Sequence, residues 1–408
     1  MRLATALLFA TLSGGLLAAE SHSHFDARIG YHLVDPYDLS THRYLLELSE
    51  KWEPISGWTL WAGARGMVAG VAQEQTQEVW LRDTFLQYRN DWLTVRAGNQ
   101  RVVWGEVFGF YYADIVNPKD MRELGLGDLS LNRLSVPMID VVVSFSAAAL
   151  EFLAIPRPVF SKMPSVVGDF AFPFHDVVSS GSVSFGEDSG KDLSLSNAEF
   201  GLRGSKQWSG TDLSLFYFYY WDRIPTFTAF VVTPSPLSVS LTPFHARLST
   251  VGLTASHDFS PFVLRLEGLY TAGRNFNVVT RTALTTFTSD EAVGVVECDY
   301  EGIEKTSIGL QYALHHIPQK VEGALIPQGE SLLSFHVKAP AWNDSDVELI
   351  TSSSLNDGGQ YASINWTLPV SGQMELSLHA DYFFGTQASQ LGRYHHASRS
   401  YALLKVFF

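Results

Sequence analysis

The last eight residues of the chain alternate in character with a period of two. One face carries Ala402, Leu404, Val406 and Phe408, and the other carries Tyr401, Leu403, Lys405 and Phe407. This period indicates a β-strand, because successive side chains of a strand point to opposite sides. The chain therefore ends on a strand, and the backbone groups along both of its edges need partners elsewhere in the sequence.

The same alternation recurs at 25–33, 43–51, 197–205, 361–368 and 374–382. Each segment places apolar side chains on one face and polar or charged ones, Arg28 and Arg43 among them, on the other. In a transmembrane barrel the apolar face contacts lipid and the polar face lines a wet lumen. A soluble β-sandwich also alternates. Charges at the inner positions, strands of about ten residues and aromatic residues at strand ends favour the barrel.

The composition supports the same class. Of the 408 residues, 46% are apolar, 13% aromatic and only 17% charged, whereas an ordinary soluble domain has about 25% charged residues. After residue 19 there is no apolar run of the roughly 20 residues that a transmembrane helix needs. The formal net charge of −14 argues against nucleic acid as a partner, because nucleic-acid binding needs a basic surface.

Residues 1–19 have the pattern of a secretory signal peptide, with a charge at Arg2, a short apolar run, and small residues at Ala18 and Ala19. We therefore expect a mature barrel of residues 20–408 in one domain. A terminal strand that ends on Phe408 resembles the sorting signal of Gram-negative outer-membrane barrels. That resemblance implies localisation in the outer membrane, contact with its lipid, and recognition by the barrel-assembly machinery.

Short turns give an estimate of the strand number. We assign those at 52–58, 90–91, 207–211, 257–262 and 368–373 to the periplasmic side. Two turns on one side must be separated by an even number of strands, but an odd number is visible from 91 to 208 and from 260 to 368. Either a further strand lies in each interval, near 177–187 and 286–297, or one segment in each is a loop. The expected fold is an all-β, antiparallel, porin-like transmembrane barrel of about 14–18 strands, with about 16–18 favoured.

One stretch, residues 96–133, departs from the alternation and is rich in arginine and carboxylate side chains. In porin-like barrels a long early loop folds into the lumen, and opposed charges across a constriction orient polar solutes and penalise apolar ones. We therefore expect 104–137 to form an inward constriction or plug. The residues expected either to line the pore or to brace the loop with salt bridges are Arg96, Arg101, Trp104, Glu106, Asp114, Asn117, Asp120, Arg122 and Arg133.

Part of this stretch resembles the signature of a large family of proteobacterial outer-membrane proteins that is catalogued only as a domain of unknown function. The pattern, R-x-V-x-W-G-E and then D-x-x-N-P-x-D-x-R, matches Arg101, Val103, Trp104, Gly105, Glu106, Asp114, Asn117, Pro118, Asp120 and Arg122. The resemblance implies an outer-membrane barrel that moves an apolar or lipid-like solute beside an inner-membrane exporter. It implies no reaction.

The expected function is passive movement of small or lipophilic solutes through an outer-membrane channel whose selectivity is set by the inward loop. The alternatives are a barrel enzyme acting on lipid and a structural or adhesive surface barrel. Ser377, His379 and Asp381 share one predicted face, but Cβ atoms two residues apart in a strand are about 7 Å apart, so they form no ready triad. We expect no catalytic residues, no cofactor and no metal site.

Overall fold

The structure is a computed structural model that describes residues 20–71, 74–109, 112–123, 132–164, 168–171, 182–186, 190–234, 237–279, 284–326 and 328–408. Three sequence-based expectations fall wholly or partly outside the described residues. They are the signal peptide at 1–19, positions 110–111 and 124–131 of the expected inward loop, and much of the possible strand at 177–187.

Strands dominate the described chain. In chain order they are β1 (Glu20–Ser21), β2 (His24–His32), β3 (Leu39–Ile55), β4 (Trp58–Val71), β5 (Glu74–Leu81), β6 (Thr84–Arg89), β7 (Leu93–Gln100), β8 (Val136–Phe145), β9 (Ala148–Ile155), β10 (Ser182–Phe185), β11 (Glu199–Trp208), β12 (Thr211–Trp221), β13 (Thr226–Pro234), β14 (Leu237–Phe244), β15 (Arg247–Phe259), β16 (Phe262–Val279), β17 (Leu284–Ile303), β18 (Thr306–His316), β19 (Gly329–Pro340), β20 (Asp346–Ser354), β21 (Gln360–Ser371), β22 (Met374–Phe384) and β23 (Arg399–Phe407). Short 3₁₀ helices lie at Trp342–Asp344 and Gly392–Ala397. In the part of the chain that the structure describes, no helix is both long and apolar enough to cross a bilayer.

The strands close into an antiparallel barrel of 18 strands. β1 and β2 both pair with β3 and act as one interrupted strand, and β5 and β6 both pair with β4 in the same way. β2 closes the ring by pairing with β23, from His24 opposite Phe407 to His32 opposite Arg399. The expected all-β, porin-like barrel is confirmed, with the strand number in the favoured upper part of the range.

Side chains alternate between the two surfaces of the ring. In β12, Leu215, Tyr217 and Tyr219 are 59%, 44% and 38% exposed on the outside, whereas Phe216 and Phe218 point inward and are buried. On β2 the same alternation exposes Ile29 and Tyr31 and turns Asp26 and Arg28 inward. An apolar outer surface is what a barrel surrounded by hydrocarbon requires.

The additional strand between the turns at 90–91 and 207–211 does not lie near 177–187. It lies within 136–155, where Ser146-Ala147 is the turn that joins β8 to β9. The possible barrel strand near 177–187 is wrong as a prediction, because β9 pairs directly with β11 in the ring. The described residues 182–185 form β10, which pairs in parallel with β14 in a separate sheet. The turn at Ser146-Ala147 contains no Gly, Pro, Asn or Asp, so the residues that usually indicate a turn in the sequence are missing there. The strand considered near 286–297 is confirmed as part of β17.

The connections differ between the two ends of the barrel. One end carries tight turns such as Ser209-Gly210, whose φ angles of 44° and 76° are of the positive sign that two-residue hairpin turns favour. The other end carries the long connections that follow β7, β9 and β12. There β10, β13 and β14 form a separate three-stranded sheet. The connection that follows β7 leads to the candidate site.

Candidate functional site

The described residues of the connection between β7 and β8, which are 101–109, 112–123 and 132–135, lie inside the barrel, and we call them the inward segment. Trp104 is 0% exposed, and its ring centroid lies 4.9 Å from that of Phe216 and 5.7 Å from that of Phe218. Both phenylalanines point into the lumen, so Trp104 lies within the ring of strands. The expected inward-folded loop is therefore confirmed.

Apolar packing fixes the inward segment against one half of the wall, formed by β8, β9, β12, β15 and β16. The buried cluster contains Val102, Trp104, Ala113 and Val116 of the segment, and Val136, Met138, Leu153, Ile155, Phe216, Phe218, Tyr220, Ala246, Leu248 and Leu269 of the wall and its connections. These apolar inner positions would be unfavourable in a water-filled lumen. Burying one large apolar side chain contributes about 1.5–3 kcal/mol, which explains their presence here.

Main-chain N–H groups of the inward segment satisfy two buried carboxylates on β16 and β17. Those of Glu106, Val107 and Ala113 donate to Glu267 at 2.6, 2.9 and 3.1 Å. The main-chain N–H group of Phe108 donates to Glu297 at 3.1 Å. The two carboxylate residues are 1% and 0% exposed. Because a buried carboxylate without donors is costly, these bonds favour a single arrangement of segment and wall.

Asn117 joins the two ends of the inward segment. Its side-chain oxygen accepts a hydrogen bond from the N–H of Val102 at 2.7 Å. Its side-chain amide donates to the carbonyls of Gln100 at 3.2 Å and Leu134 at 2.8 Å. Asn117 is 1% exposed, and these three bonds all go to main-chain groups. Asn117 therefore closes the base of the segment.

The far end of the inward segment reaches the other half of the barrel. Arg122 donates two hydrogen bonds of 3.1 Å to Glu78 on β5. Glu123 accepts from Arg28 on β2 and, at 3.0 Å, from Arg399 on β23. Burial alone would raise the pKa of Glu123, but the two arginines hold it well below its ordinary value. In this ring β2 lies almost opposite β16, so the inward segment crosses the lumen.

A cavity of about 260 Å³ lies beside the far end of the inward segment, against the wall of β2–β5 and β21–β23. Among the described residues, six cationic side chains line it, namely Arg28, Arg43, Arg65, Arg122, Arg399 and Lys405, and three carboxylates do so, namely Asp120, Glu123 and Glu375. The formal charge of this lining is therefore +3 with His379 neutral, although the whole chain carries −14.

The nine residues singled out from the sequence separate into two groups. Asp120 and Arg122 line the cavity and also pair with each other at 2.6 Å. The other seven contact the barrel wall or another part of the inward segment. Besides the bonds of Asn117, these contacts are Arg96 with Asp140, Arg101 with Asp83, Trp104 with Glu151, Glu106 with Thr254 and Asp114 with Arg133.

Sequence reasoning did not select the cations on the first and last strands of the ring. The alternation of apolar and polar residues placed Arg28 and Arg43 on a polar face, and this was the sequence evidence that could have identified them. It gave no indication that closure of the ring brings Arg399 next to Arg28, or that Glu123 reaches both.

A second inward contact had no sequence signal. In the connection between β9 and β11, Asp169 bonds His32 at 2.8 Å. The neighbouring Phe170 is 3% exposed, and the Arg399 guanidinium lies 5.1 Å from the centre of its ring. Phe170 also packs against Phe383 with a centroid distance of 6.2 Å. Asp169 and Phe170 therefore lie over the long-loop end of the same half of the lumen.

Ser377, His379 and Asp381 have separate partners. They contact Thr367 at 3.0 Å, the Tyr401 ring at 4.5 Å between centroids, and Arg399 at 3.3 Å, respectively. The geometry of these three residues is that of a polar wall rather than a catalytic triad.

One cluster has the composition of a metal site. Glu297, Asp299 and His336 are buried and offer ligand atoms within 4.8 Å of one another. Arg265 pairs with Asp299 and lies 3.8 Å from Glu297. A buried carboxylate pair needs a compensating cation, and Arg265 already supplies one, so this arrangement favours ion pairing over metal binding.

Comparison with known proteins gives distant structural relatives. No curated protein matches the chain. A loop L8 deletion mutant of OmpT, an outer membrane protein of Vibrio cholerae, is 10% identical with a TM-score of 0.46, covering 96% of this chain and 99% of that chain. Salmonella typhi OmpF in complex with daunomycin is 8% identical with a TM-score of 0.49, covering 96% and 97%. The outer membrane channel DcaP of Acinetobacter baumannii is 10% identical with a TM-score of 0.47, covering 97% and 99%. The paired strands themselves, rather than this likeness, establish the fold.

A family match covers most of the molecule. The family described as "Protein of unknown function (DUF1302)" matches residues 69–345, which is more than half of the 408 residues. The matched range contains the whole inward segment. The family-level resemblance drawn from the sequence is confirmed, and the short signature itself stays a prediction. The chain belongs to the DUF1302 family of proteins of unknown function.

Proposed function

We propose that this protein is an outer-membrane channel for the passive movement of small solutes, and that the inward segment sets its selectivity. The observation that carries the proposal is the unequal filling of the lumen. The segment packs against one half of the wall and leaves a polar cavity of about 260 Å³ against the other. A closed ring with an apolar outside and a polar inside is suited to a solute path across lipid.

The chemistry of the cavity favours polar over lipophilic solutes. Charged side chains of the wall face charged side chains of the inward segment, as Arg28 faces Glu123 and Glu78 faces Arg122. Opposed charges across a narrow passage orient polar solutes and exclude apolar ones. Asp120 and Arg122 are therefore the sequence-predicted residues that we propose to contact the solute. The other seven are proposed to act by holding the segment in place.

Outer-membrane localisation, removal of residues 1–19 as a signal peptide and recognition of β23 by the barrel-assembly machinery belong to the same proposal. The inner-membrane exporter implied by the family resemblance stays a prediction.

Single-channel conductance in planar bilayers tests the proposal. Thr76 on β5 lines the cavity, whereas Val79 on the same strand is 68% exposed on the outside. Thr76→Trp adds bulk to the passage and is expected to lower the conductance several-fold. Val79→Trp adds the same ring to the lipid face and is expected to leave conductance unchanged.

Heat-modifiable mobility in SDS gels shows whether each protein has folded. Folded wild-type protein without any conductance would reject the channel. Equal conductance of the two variants would reject a path through this cavity.

A further inference from the structure

We propose that the cavity beside the inward segment contains an oxyanion site centred on Arg43, which takes the phosphate or carboxylate group of a small anionic solute. This inference rests on the proposed channel and names its substrate class. It begins from the placement of the lumen cations on neighbouring strands: Arg399 and Lys405 on β23, Arg28 on β2, Arg43 on β3 and Arg65 on β4.

Arg43 forms no direct ion pair among the described residues, and Glu123 and Asp26 act on it only at longer range. It makes no hydrogen bond and no ion pair within 4 Å with any described residue, and its Nε atom is both buried and unbonded. Its register partner on β2 is another cation, Arg28. Like charges placed directly opposite each other on adjacent strands are destabilising. A solute anion between or beside the two guanidinium groups would remove that cost.

The neighbouring contact shows that these cations accept a carboxylate. Glu123 places one oxygen against Arg28 and the other 3.0 Å from Arg399. Arginine recognises planar oxyanions through charge-assisted hydrogen bonds of this kind. The inward segment therefore supplies one carboxylate to the cluster, and Arg43 is the guanidinium that this carboxylate does not bind.

Most other cations of the cavity are neutralised by the protein itself. The pairs are Arg65 with Glu47, Arg122 with Asp120 and Glu78, and Arg399 with Asp381 and Glu123. Lys405 is the second exception. It forms no ion pair with a described residue, and its ammonium group lies 6.0 Å from the centre of the Phe407 ring.

The carboxylates nearest in register to Lys405 are Asp26 on β2 and Glu375 on β22. They lie on the short-turn side of Arg43, so they form the entrance to the site on that side. The cavity of about 260 Å³ is much larger than the roughly 30 Å³ that one water occupies in the liquid. A small organic anion therefore fits the chemistry and the scale of the site.

Isothermal titration calorimetry on the refolded protein in detergent tests the site without requiring conductance. The probes are inorganic phosphate and the short-chain lipid dihexanoyl phosphatidate, which distinguish a free solute from a lipid headgroup. Loss of one charge-assisted contact weakens binding about tenfold or more, so Arg43→Gln is expected to raise the dissociation constant by at least that factor. The matched control is Arg89→Gln, at an exposed arginine beside the turn that follows β6.

Lys405→Gln provides a second variant, with a smaller expected weakening, in case Arg43→Gln fails to fold. Binding of either probe that depends on Arg43 or Lys405, but not on Arg89, supports the site, and the probe that binds identifies its source. No binding of either probe, or binding that Arg43→Gln and Lys405→Gln leave unchanged, overturns it. Conductance without such binding would reject only the oxyanion site. Binding without conductance would reject only the channel.

Discussion

The two halves of the lumen differ in what occupies them. On the side of β8, β9, β12 and β15–β17, an apolar cluster packs the inward segment against the wall, and the buried carboxylates of Glu267 and Glu297 accept hydrogen bonds from main-chain N–H groups of the segment. On the side of β21–β23 and β2–β5, inner positions are charged and face a cavity. One half of the barrel thus resembles the core of a soluble domain, and the other resembles a binding site.

This difference suggests that the filled half stabilises the inward segment, whereas the open half determines which solutes pass. Removing apolar contacts from the filled half should release the inward segment, whatever its charge. Removing charges from the open half should change which solutes pass while the segment stays in place. The filled half holds the far end of the segment at the position where Glu123 meets Arg28 and Arg399.

The largest effect is expected in the filled half, from Trp104→Ala. Trp104 is 0% exposed and packs against Phe216 and Phe218. Truncating a buried tryptophan costs about 3–5 kcal/mol, so the inward segment should detach from the wall. We expect faster proteolysis within the segment and a higher single-channel conductance.

The matched control for that variant is Trp92→Ala. Trp92 is 57% exposed next to the turn after β6 and should tolerate truncation. Proteolysis of the Trp104→Ala segment at the wild-type rate would mean that the apolar packing does not hold the segment, and the contrast between the two halves would fail.

A smaller effect is expected in the open half from Glu123→Gln. The change removes the carboxylate shared by Arg28 and Arg399, and a hydrogen bond to a charged group contributes about 1.5–3 kcal/mol. Arg399 keeps Asp381 as a partner at 3.3 Å. We expect a modest loss of stability to urea and a reversal potential in a KCl gradient that shifts toward anion selectivity.

Glu53→Gln is the control for Glu123→Gln. It breaks an exposed pair with Lys51 at 3.0 Å, and exposed pairs contribute at most about 1 kcal/mol. The low pKa of Glu123 determines how its contribution to stability depends on pH. Its stabilising effect is present above the ordinary value of 4.5 and is lost only as the pH falls through the lower folded value. Glu123 should therefore stay charged between pH 7 and pH 5, so the difference in reversal potential between wild type and Glu123→Gln should be the same at both pH values, and a difference that disappears at pH 5 would contradict the role of Glu123.

The fold was largely predictable because a barrel in lipid enforces a simple pattern. A strand with one face in hydrocarbon and one in a lumen must alternate, and β2, β3, β11, β21, β22 and β23 all do so. The pattern fails where both faces of a strand are apolar. Around Ser146-Ala147 the sequence offers apolar and small residues on both faces and no Gly, Pro, Asn or Asp, so the turn between β8 and β9 carried none of the usual turn signal.

The site was less predictable, because alternation gives the face of a residue and not its neighbours. The sequence placed Arg28 and Arg43 on a polar face, but their distance from Glu123 depends on ring closure and on the path of the inward segment. The concentration of charge at 96–133 correctly indicated an unusual segment. It did not separate Arg122, which lines the cavity, from Arg101, which pairs with Asp83.

The smallest effect is expected where the two halves meet, at Lys119 in the middle of the inward segment. Burial lowers its pKa from 10.5 to about 8. Between these two values the unfolded chain binds more protons than the folded one, so stability rises with pH in that window. The slope of the unfolding free energy is at most about 1.4 kcal/mol per pH unit, and it is smaller here because Lys119 is partly exposed.

Urea unfolding at pH 8 and pH 10 should show higher stability at pH 10, and Lys119→Met should abolish the difference. Lys320→Met, at an exposed position after β18, should preserve it. A wild-type stability that falls over this range would mean that Lys119 stays charged in an open lumen, and the inward segment would then separate the two halves less completely than its packing indicates.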